Sequence, residues 1–324
     1  MKTPHFCVIV LVLFGQTTRA HAQGPLLLVA NKGDDTVSFI DLDARQVVGL
    51  ATTGRHPHEL AVTPDGRTAF VANYGAGDSI SVIDVQTRKE LRKISLGTYR
   101  DPHGIQVSRD GAKVYATCEA SRVVIVIDVA RGEIIRALDT GREVSHMLVL
   151  TPDETRLYAA DLRSGSATAI NLSTGKIEAQ IPTGKGCEGI DVTPDGLEVW
   201  TSNKEAETLS IIDVLTNRVV ATLPVAGRPI RVKITPDGRR ALVSCVSRDQ
   251  LAVIDVKTRR EIQRIPVGRA PIGLVIEPNG QRAYVAETEE DRIRIINLVT
   301  LAPIGQIAVG REPDGMDLAI RKLD

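Results

Sequence analysis

This chain has few aromatic residues and no excess of either positive or negative charge, and each of these absences excludes a class of partner. Phe, Trp and Tyr make up only 3% of the 324 residues, too few for the stacking platform that binds single-stranded nucleic acid. Lys and Arg together equal Asp and Glu at 40 each, so no global charge attracts nucleic acid or an anionic membrane. The composition therefore predicts that neither is a partner.

Familiar catalytic and metal motifs are also absent. The sequence has no GxSxG elbow, no HExxH pair, no P-loop and no CxxC spacing, which excludes several enzyme classes and a cysteine-based zinc site. Of the four cysteines, Cys7 lies in an N-terminal segment that we expect to be removed. Cys118, Cys187 and Cys245 remain, so at most one disulfide can form within the mature chain. Three alternatives stay open: Cys187 pairs with Cys245, Cys187 is a soft metal ligand, or the thiols are merely small and partly buried.

Long apolar runs are missing except at the N-terminus. Lys2 precedes an apolar run from Phe6 to Phe14, and Ala20-His21-Ala22 is typical of a cleavage site. This pattern predicts a secretory signal peptide over residues 1–22 and a mature domain over 23–324. No other run is long enough for a membrane span. We therefore expect a periplasmic or secreted protein.

What the sequence does have is an internal repeat. A Thr-Pro-Asp-Gly turn, or a close variant, recurs every 42 to 45 residues. Proline fixes φ at the first corner of such a turn, and glycine accepts the left-handed position. A period in the forties that consists of strands and turns indicates a repeat architecture. The turns begin at Thr63, Ser108, Thr151, Thr193, Thr235 and Glu277.

Each repeat contains four short segments rich in valine and isoleucine, as expected for strands. In one complete repeat they span residues 189–193, 197–202, 208–213 and 218–224. Four antiparallel strands per unit describe a β-propeller blade. The chain begins with strands two to four of a blade, from Leu26, and ends with a lone first strand at 315–319. The sequence thus predicts an all-β fold: a single seven-bladed β-propeller, closed by the N-terminal strands plus a C-terminal strand.

The strand sequences also resemble a known family. Phe70-Val71-Ala72-Asn73, Leu28-Val29-Ala30-Asn31 and Tyr284-Val285-Ala286 look like the Tyr-Val-Thr-Asn motif of YVTN-family β-propeller repeat proteins, and Ser81-Val82-Ile83-Asp84 fits the same pattern. The resemblance covers nearly all of the mature chain and implies an exported propeller. Its members include binding proteins, surface-layer proteins and relatives of lactonases and of oxidoreductase subunits, so it implies no single activity.

Comparison of the blades at one position separates scaffold from candidate site. The residue five before each turn should lie at the mouth of the central channel, where equivalent side chains of neighbouring blades converge. Three histidines in consecutive blades suit copper or zinc, and a carboxylate could complete or orient the ligand set. We therefore predict a metal site at His58, His103 and His146. The seven residues in chain order are His58, His103, His146, Glu188, Ile230, Ile272 and Asp314.

A ring of bases is a second candidate for ligand binding. A base follows a glycine in the loop before most inner strands, and a cleft lined by one sign of charge attracts an anionic ligand. Acids in the opposing loops could instead neutralise these bases. We predict ligand contacts at Arg55, Arg142, Glu188 and Asp314. The full basic ring is Arg55, Arg100, Arg142, Lys185, Arg228, Arg269 and Arg311, and the opposing acids are Asp34, Asp78, Glu119, Asp161, Glu205, Asp249 and Glu289.

Two functions fit these observations. The first is an exported binding or scaffold protein, expected to be a monomer, that holds a small-molecule ligand or a protein partner at the channel mouth. The second is an enzyme, either a lactonase-like hydrolase or a metal-dependent oxidoreductase component. A hydrolase needs a base near a carboxylate and an arginine, and His103, Glu188 and Arg142 could fill those roles.

Overall fold

A computed structural model describes residues 24–75 and 78–320, which form seven four-stranded antiparallel sheets. The predicted signal peptide, residues 1–22, lies outside the described residues. Between the strands of the described residues, short 3-10 turns lie at Glu119–Ser121 and Thr288–Glu290. Within the described ranges, no helix is long and apolar enough to span a membrane.

The sheets are the blades of a propeller, numbered here from the N-terminus. From blade 1 to blade 7, the inner strands are β28 (Pro313–Ala319), β4 (Pro57–Val62), β8 (Pro102–Val107), β12 (Ser145–Leu150), β16 (Cys187–Val192), β20 (Pro229–Ile234) and β24 (Pro271–Ile276). The second strands are β1 (Leu26–Asn31), β5 (Thr68–Asn73), β9 (Lys113–Cys118), β13 (Arg156–Asp161), β17 (Glu198–Asn203), β21 (Arg240–Cys245) and β25 (Arg282–Glu287).

The two outer positions of each blade complete the sheets. The third strands are β2 (Thr36–Asp41), β6 (Ser79–Asp84), β10 (Val123–Asp128), β14 (Ser166–Asn171), β18 (Thr208–Asp213), β22 (Gln250–Asp255) and β26 (Arg292–Asn297). The outermost strands are β3 (Gln46–Thr52), β7 (Lys89–Ser95), β11 (Glu133–Asp139), β15 (Ile177–Pro182), β19 (Arg218–Pro224), β23 (Arg260–Pro266) and β27 (Ala302–Ala308).

Both ends of the chain close the ring. The C-terminal strand β28 pairs antiparallel with β1, so blade 1 has the order β28-β1-β2-β3. Each inner strand also packs against the inner strand of the next blade, from β28 through β24 and back to β28. No blade is therefore left with an unpaired face at a chain end. The predicted seven-bladed fold and its mode of closure are confirmed.

The hydrophobic core lies between the blades. Seven apolar clusters fill the seven junctions, and each contains residues of two adjacent blades. Phe39 of blade 1 packs with Val71 of blade 2, for example, and Trp200 of blade 5 packs with Val243 of blade 6. Strands in such junctions are buried on both faces, which explains why the repeats are rich in Val and Ile without strict alternation.

The repeated turn lies at the end of each blade where the inner strand finishes, opposite the end that carries the mouth residues. The Thr193 hydroxyl donates to Asp195 at 2.6 Å, and Gly196 N–H donates to the Thr193 carbonyl at 2.8 Å. Gly196 has a φ of 74°, in the left-handed region that glycine adopts without strain. The same turn joins the first two strands of its blade, so it fixes where each inner strand ends.

Candidate functional site

Each inner strand begins with the same backbone irregularity. The mouth residue falls within a β-bulge, as for His58, where the register with β5 shifts between Pro57 and Leu60. A bulge redirects a side chain out of the regular alternation. It also keeps Cys187 in the ladder opposite Asn203, so β16 begins two residues before the predicted start. The residue two before each mouth position has a left-handed φ: His56, Asp101, Val144, Gly186, Arg228, Ala270 and Glu312.

The three predicted histidines lie together as an arc across blades 2, 3 and 4. The ring centroids of His58 and His103 are 4.9 Å apart, and those of His103 and His146 are 3.7 Å apart. His103 is buried, while His58 and His146 are partly exposed at the mouth. The expectation that equivalent positions on neighbouring blades converge is met at these three residues.

A glycine next to His103 permits this close approach. A Cβ atom on Gly104 would lie 2.8 Å from the His146 carbonyl oxygen and 2.8 Å from the Cα of Met147. The Thr117 hydroxyl ties the two strands together, because it accepts from Gly104 N–H at 2.8 Å and donates to the His146 carbonyl at 2.8 Å. The spacing of the two histidines is therefore set by backbone contacts.

Glu119 completes a cluster of three candidate ligands. It is the first residue after β9 and is 7% exposed. Its Oε1 atom is 2.5 Å from His146 Nδ1, and its Oε2 accepts from the Tyr74 hydroxyl at 2.9 Å. One ligand atom each of His103, Glu119 and His146 lie within 4.8 Å of one another. Two imidazoles and a carboxylate are thus close enough to bind one ion.

Burial keeps two of the histidines uncharged. It lowers the pKa of His58 to about 4, although Asp314 opposes this. Burial likewise lowers the pKa of His103 well below its usual value, and the neighbouring His146 and His58 add to the effect. The neutral imidazole is the form that binds metals. Among the described residues, His103 Nδ1 is buried without a hydrogen-bond partner.

Two acid–lysine pairs flank the histidine arc. On the blade 1 side, Lys32 Nζ is 3.0 Å from Asp314 Oδ2. On the blade 5 side, Lys204 Nζ is 2.6 Å from Glu188 Oε2. Burial disfavours the Asp314 carboxylate, yet Lys32, His58 and Arg231 outweigh it and lower the Asp314 pKa. Asp314 and Glu188 therefore lie where the sequence placed them, each with a lysine that it did not predict.

An ion pair crosses the channel next to the arc. Arg231 of blade 6 contacts the Glu59 carboxylate of blade 2, and its Nη2 is 3.9 Å from Asp314 Oδ1. These blades are not neighbours, so the guanidinium reaches across the axis. Burial raises the pKa of Glu59, although Arg231 opposes this. Both residues of the pair also line a cavity of about 290 Å³ in the channel, to which Asp191 and Lys233 contribute.

A second cavity, of about 470 Å³, opens at the mouth beside the histidines. All three histidines and Glu119 contribute to its wall. Val144 and Leu162 add apolar surface, and Arg163 contributes a charged side chain. The cluster therefore faces a space that is large enough for a small molecule.

Three of the seven bases in the predicted ring are paired with acids of the opposing loops, as the second alternative expected for the ring. Arg311 Nε is 2.6 Å from Asp34, Arg100 Nε is 3.4 Å from Asp78, and Arg269 Nη1 is 3.7 Å from Glu289. The exposed members of the ring include Arg55, Lys185 and Arg228. Glu119 differs from the expectation, because its partners are His146 and Tyr74.

Neither Arg142 nor any of the three cysteines belongs to the cluster of His103, Glu119 and His146. The charge of Arg142 acts on the buried Asp161 carboxyl of blade 4, whereas His103 and Glu188 face the mouth. All three described cysteines are buried free thiols, so the pairing of Cys187 with Cys245 is not present. Burial raises the pKa of Cys187 to about 12, and its side chain packs in the core between blades 4 and 5, which does not suit a thiolate ligand.

The sequence reasoning missed Glu119, Tyr74, Lys204 and Arg231 as members of the site. The first three follow the last residue of a second strand, a position that also differs between blades and could have been compared in the same way. Arg231 follows Ile230, the predicted mouth position of blade 6. The register of β20 with β21 shifts between Pro229 and Val232, and such a bulge redirects side chains out of the regular alternation. The residues after the second strands are Lys32, Tyr74, Glu119, Leu162, Lys204, Val246 and Thr288.

Sequence comparisons find similarity to β-propellers over parts of the chain. Residues 173–282, which include blades 5 and 6, match the family model described as YNCE-like beta-propeller. The chain is 29% identical over 123 residues to the seven-bladed beta-propeller protein Rv1057 of Mycobacterium tuberculosis, a match that covers 37% of this chain and 31% of that protein. The chain thus matches less than a third of the length of this relative. Membership of the YVTN family stays a prediction.

Solved structures share the fold at low sequence identity. Hydrazine synthase of Kuenenia stuttgartiensis aligns with a TM-score of 0.77 at 22% identity, over 88% of this chain and 98% of that one. A protein of unknown function from Desulfotomaculum acetoxidans aligns with a TM-score of 0.80 at 10% identity, over 92% and 99%. Dihydro-heme d1 dehydrogenase NirN aligns with a TM-score of 0.68 at 16% identity, over 90% and 74%. At these identities the likeness shows the fold alone.

Proposed function

We propose that this protein binds a divalent transition-metal ion at the channel mouth, with His103 and His146 as imidazole ligands and a carboxylate completing the set. The observation that carries the proposal is the meeting of ligand atoms from His103, Glu119 and His146 within 4.8 Å. Two imidazoles with one carboxylate are a ligand set of catalytic zinc sites and suit other first-row metals. Zinc and copper are the ions that we expect.

The state of the ligands supports the same proposal. His103 is 4% exposed, and its Nδ1 is buried without a hydrogen-bond partner among the described residues. Such an atom costs free energy that a bond to a metal would recover. The low pKa of His103 removes the competition from protons that weakens metal binding by histidines.

Export and partners form the remainder of the proposal. The apolar N-terminal run and the Ala20-His21-Ala22 site support an exported protein, and the cavity of about 470 Å³ beside the cluster supports a small-molecule ligand at the metal. We infer a binding protein that works as a monomer. Purification from the periplasm, followed by mass determination of the intact chain, should give a mature protein that begins at Gln23.

The metal site is tested by loading the mature protein with Zn²⁺ or Cu²⁺ and measuring bound metal after desalting. We expect one ion per chain in the wild type and loss of that ion in H103A/H146A. H56A is the matched control, because His56 is exposed at the same mouth and lies outside the ligand cluster. Sub-stoichiometric metal in the wild type, or equal loss in H56A, would overturn the proposal.

The enzyme alternative is favoured by one observation, the cavity on which the cluster opens. A metal there could polarise a carbonyl group or activate water, as in metal-dependent hydrolases. The zinc-loaded protein is therefore assayed on a panel of lactones, with H103A/H146A as the control. Turnover that disappears in the double variant supports the hydrolase, whereas no turnover with intact metal binding leaves the binding function.

A further inference from the structure

Two residues of each blade are joined at the channel mouth by the same backbone bond. The first residue after the second strand donates its N–H to the carbonyl of the residue two before the mouth position, as Leu162 donates to Val144 at 2.9 Å. The bond recurs in all seven blades, so it belongs to the scaffold, whereas the side chains that it brings together differ. Only blade 4 has an apolar side chain at both positions. In blade order the pairs are Glu312 with Lys32, His56 with Tyr74, Asp101 with Glu119, Val144 with Leu162, Gly186 with Lys204, Arg228 with Val246, and Ala270 with Thr288.

Val144 is poorly suited to the backbone conformation that its position requires. Its φ is 56°, in the left-handed region where a β-branched side chain crowds the backbone. None of the six equivalent residues is β-branched, and Gly186 of blade 5 adopts a left-handed φ without strain. The fold therefore holds Val144 at a cost in stability. Such strained residues cluster at functional sites.

Val144 and Leu162 both line the mouth cavity of about 470 Å³. Both residues are only partly buried, so they present apolar surface to that space. The wall of the same cavity includes His103, Glu119 and His146, whose ligand atoms meet within 4.8 Å. One cavity thus combines the candidate metal site with an apolar surface, which suits a small molecule that has one polar and one apolar end.

The charges at the cavity wall favour an anionic polar end. Asp101 and Arg163 line the cavity as well as Glu119. A divalent ion and Arg163 together exceed the Asp101 and Glu119 carboxylates by one positive charge, and metal-bound imidazoles are neutral. Arg163 Nη1 is 3.6 Å from Glu143, but both side chains are exposed to solvent, so this pair is weak. A carboxylate can both bind the ion and neutralise the remaining charge.

We propose, on the basis of the proposed metal site, that the mouth cavity binds a small monocarboxylate with an apolar tail. The carboxylate coordinates the ion at His103, Glu119 and His146, and the tail packs on Val144 and Leu162. The strained Val144 is thus a specificity-determining residue, because its side chain favours carboxylates with longer apolar tails.

The test compares acetate with hexanoate as ligands of the Co²⁺-loaded mature protein, followed by the change in the d–d absorption bands. Hexanoate should bind about 30-fold more tightly than acetate, because its additional methylene groups are partly removed from water. V144G/L162T should lower this preference to about threefold, and L162T alone to about tenfold. The matched control is A270G/V246T, which makes equivalent changes in blades 7 and 6 outside the cavity wall and should keep the full preference.

Metal content, measured for every variant before the titration, shows whether the metal site or the carboxylate site has failed. A wild type that holds no ion overturns the proposed function and this inference with it. One ion per chain with equal affinities for the two carboxylates overturns this inference alone. An undiminished preference in V144G/L162T, or an equal loss in A270G/V246T, does the same.

Thermal unfolding of the apo variants checks that they are folded and gives a second readout. Glycine relieves the left-handed strain, so V144G should raise the melting temperature by more than A270G does. A lower melting temperature in V144G would show that the Val144 side chain serves the fold, and it would overturn the inference.

Discussion

Two blade junctions of this propeller have the same backbone contacts but end in different side chains. At the junction of blades 3 and 4, Gly104 and Thr117 hold the strand that carries His146. At the junction of blades 5 and 6, Gly189 N–H donates to Ser202 Oγ at 2.9 Å, and that hydroxyl donates to the carbonyl of Ile230.

The glycines make the same approach. A Cβ atom on Gly189 would lie 2.2 Å from the Ile230 carbonyl oxygen, as one on Gly104 would crowd that of His146. The contacts therefore belong to the scaffold, and they recur whether the mouth residue is polar or apolar. What distinguishes the candidate site is the side chain that the scaffold delivers, so variants made in parallel at both junctions separate scaffold from site.

The largest effect is expected when a histidine at the junction of blades 3 and 4 is replaced by isoleucine, the residue that blade 6 has at the same aligned position. His103→Ile gives blade 3 the mouth residue of blade 6 and removes a proposed imidazole ligand, so Zn²⁺ affinity should fall at least about 100-fold. The apo protein should gain about 1 kcal/mol of stability, because a buried nitrogen without a partner is replaced by an apolar group. Chelator competition and urea unfolding measure the two effects, and undiminished Zn²⁺ binding would contradict the site.

Crowding the two junctions should give similar losses of stability but different losses of metal binding. Gly104→Ala and Gly189→Ala each force a methyl group against a backbone carbonyl, at a cost of about 1–3 kcal/mol. Only Gly104→Ala moves His103 away from His146, so only this variant should lose about tenfold in Zn²⁺ affinity. Equal Zn²⁺ affinities in the two variants would mean that the histidine spacing is irrelevant to binding.

Blades 4 and 5 also differ at the last residue of the second strand, where blade 4 has a buried carboxyl group. Asp161 ends β13 and accepts hydrogen bonds from the hydroxyls of Ser145 and Thr168, both at 2.7 Å, where blade 5 has Asn203. Burial raises the pKa of Asp161 to about 6, although the hydroxyls oppose this. The unfolded-state pKa is lower, so the charged form is disfavoured in the fold, and stability is lost as pH rises from about 4 to 6.

Asp161→Asn should remove this pH dependence. We expect the variant to match the wild type near pH 4 and to exceed it by on the order of 1–3 kcal/mol at pH 7. Asn203→Asp is the reciprocal variant and should introduce the same loss into blade 5. Urea unfolding at several pH values tests both, and a pH-independent difference between wild type and Asp161→Asn would refute the assignment.

The sequence predicted the scaffold well because the scaffold repeats. The turn at Thr193 and the strand that follows it recur in blade after blade, and the unpaired strands at the two ends leave only one way to close the ring. The convergence of the three histidines was predictable because the repeats can be aligned: at one aligned position three blades have histidine and two others have isoleucine. Repetition also showed which glycines belong to the architecture.

The rest of the site depends on contacts between blades, which a comparison of aligned positions does not give. Glu119 follows β9 of blade 3 and contacts His146 of blade 4, whereas the sequence predicted it as one of the acids that oppose the basic ring. Arg231 escaped prediction because a bulge breaks the alternation by which a strand assigns side chains to its faces. Contacts between blades are therefore the part of the site that requires coordinates.

The smallest effect is expected when the bridging hydroxyl group is removed at each of the two junctions. Thr117→Val and Ser202→Ala each keep the shape of the side chain and remove one hydroxyl that bridges a glycine N–H and a carbonyl of the next blade. Each should cost about 1 kcal/mol of stability in urea unfolding. Because Thr117 holds the strand of a proposed metal ligand, only its variant should also weaken Zn²⁺ binding, by about threefold.

Comparing these two variants distinguishes the positioning of the imidazoles from the general stability of the fold. A weaker Zn²⁺ complex in both variants would mean that general loosening of the ring lowers affinity, and the histidine junction would lose its special status. A loss confined to Thr117→Val would show that one hydrogen bond to the His146 carbonyl sets the distance between the two imidazoles. Because the two variants lose equivalent bonds within the same scaffold, the difference between their Zn²⁺ affinities measures what the scaffold contributes to the metal alone.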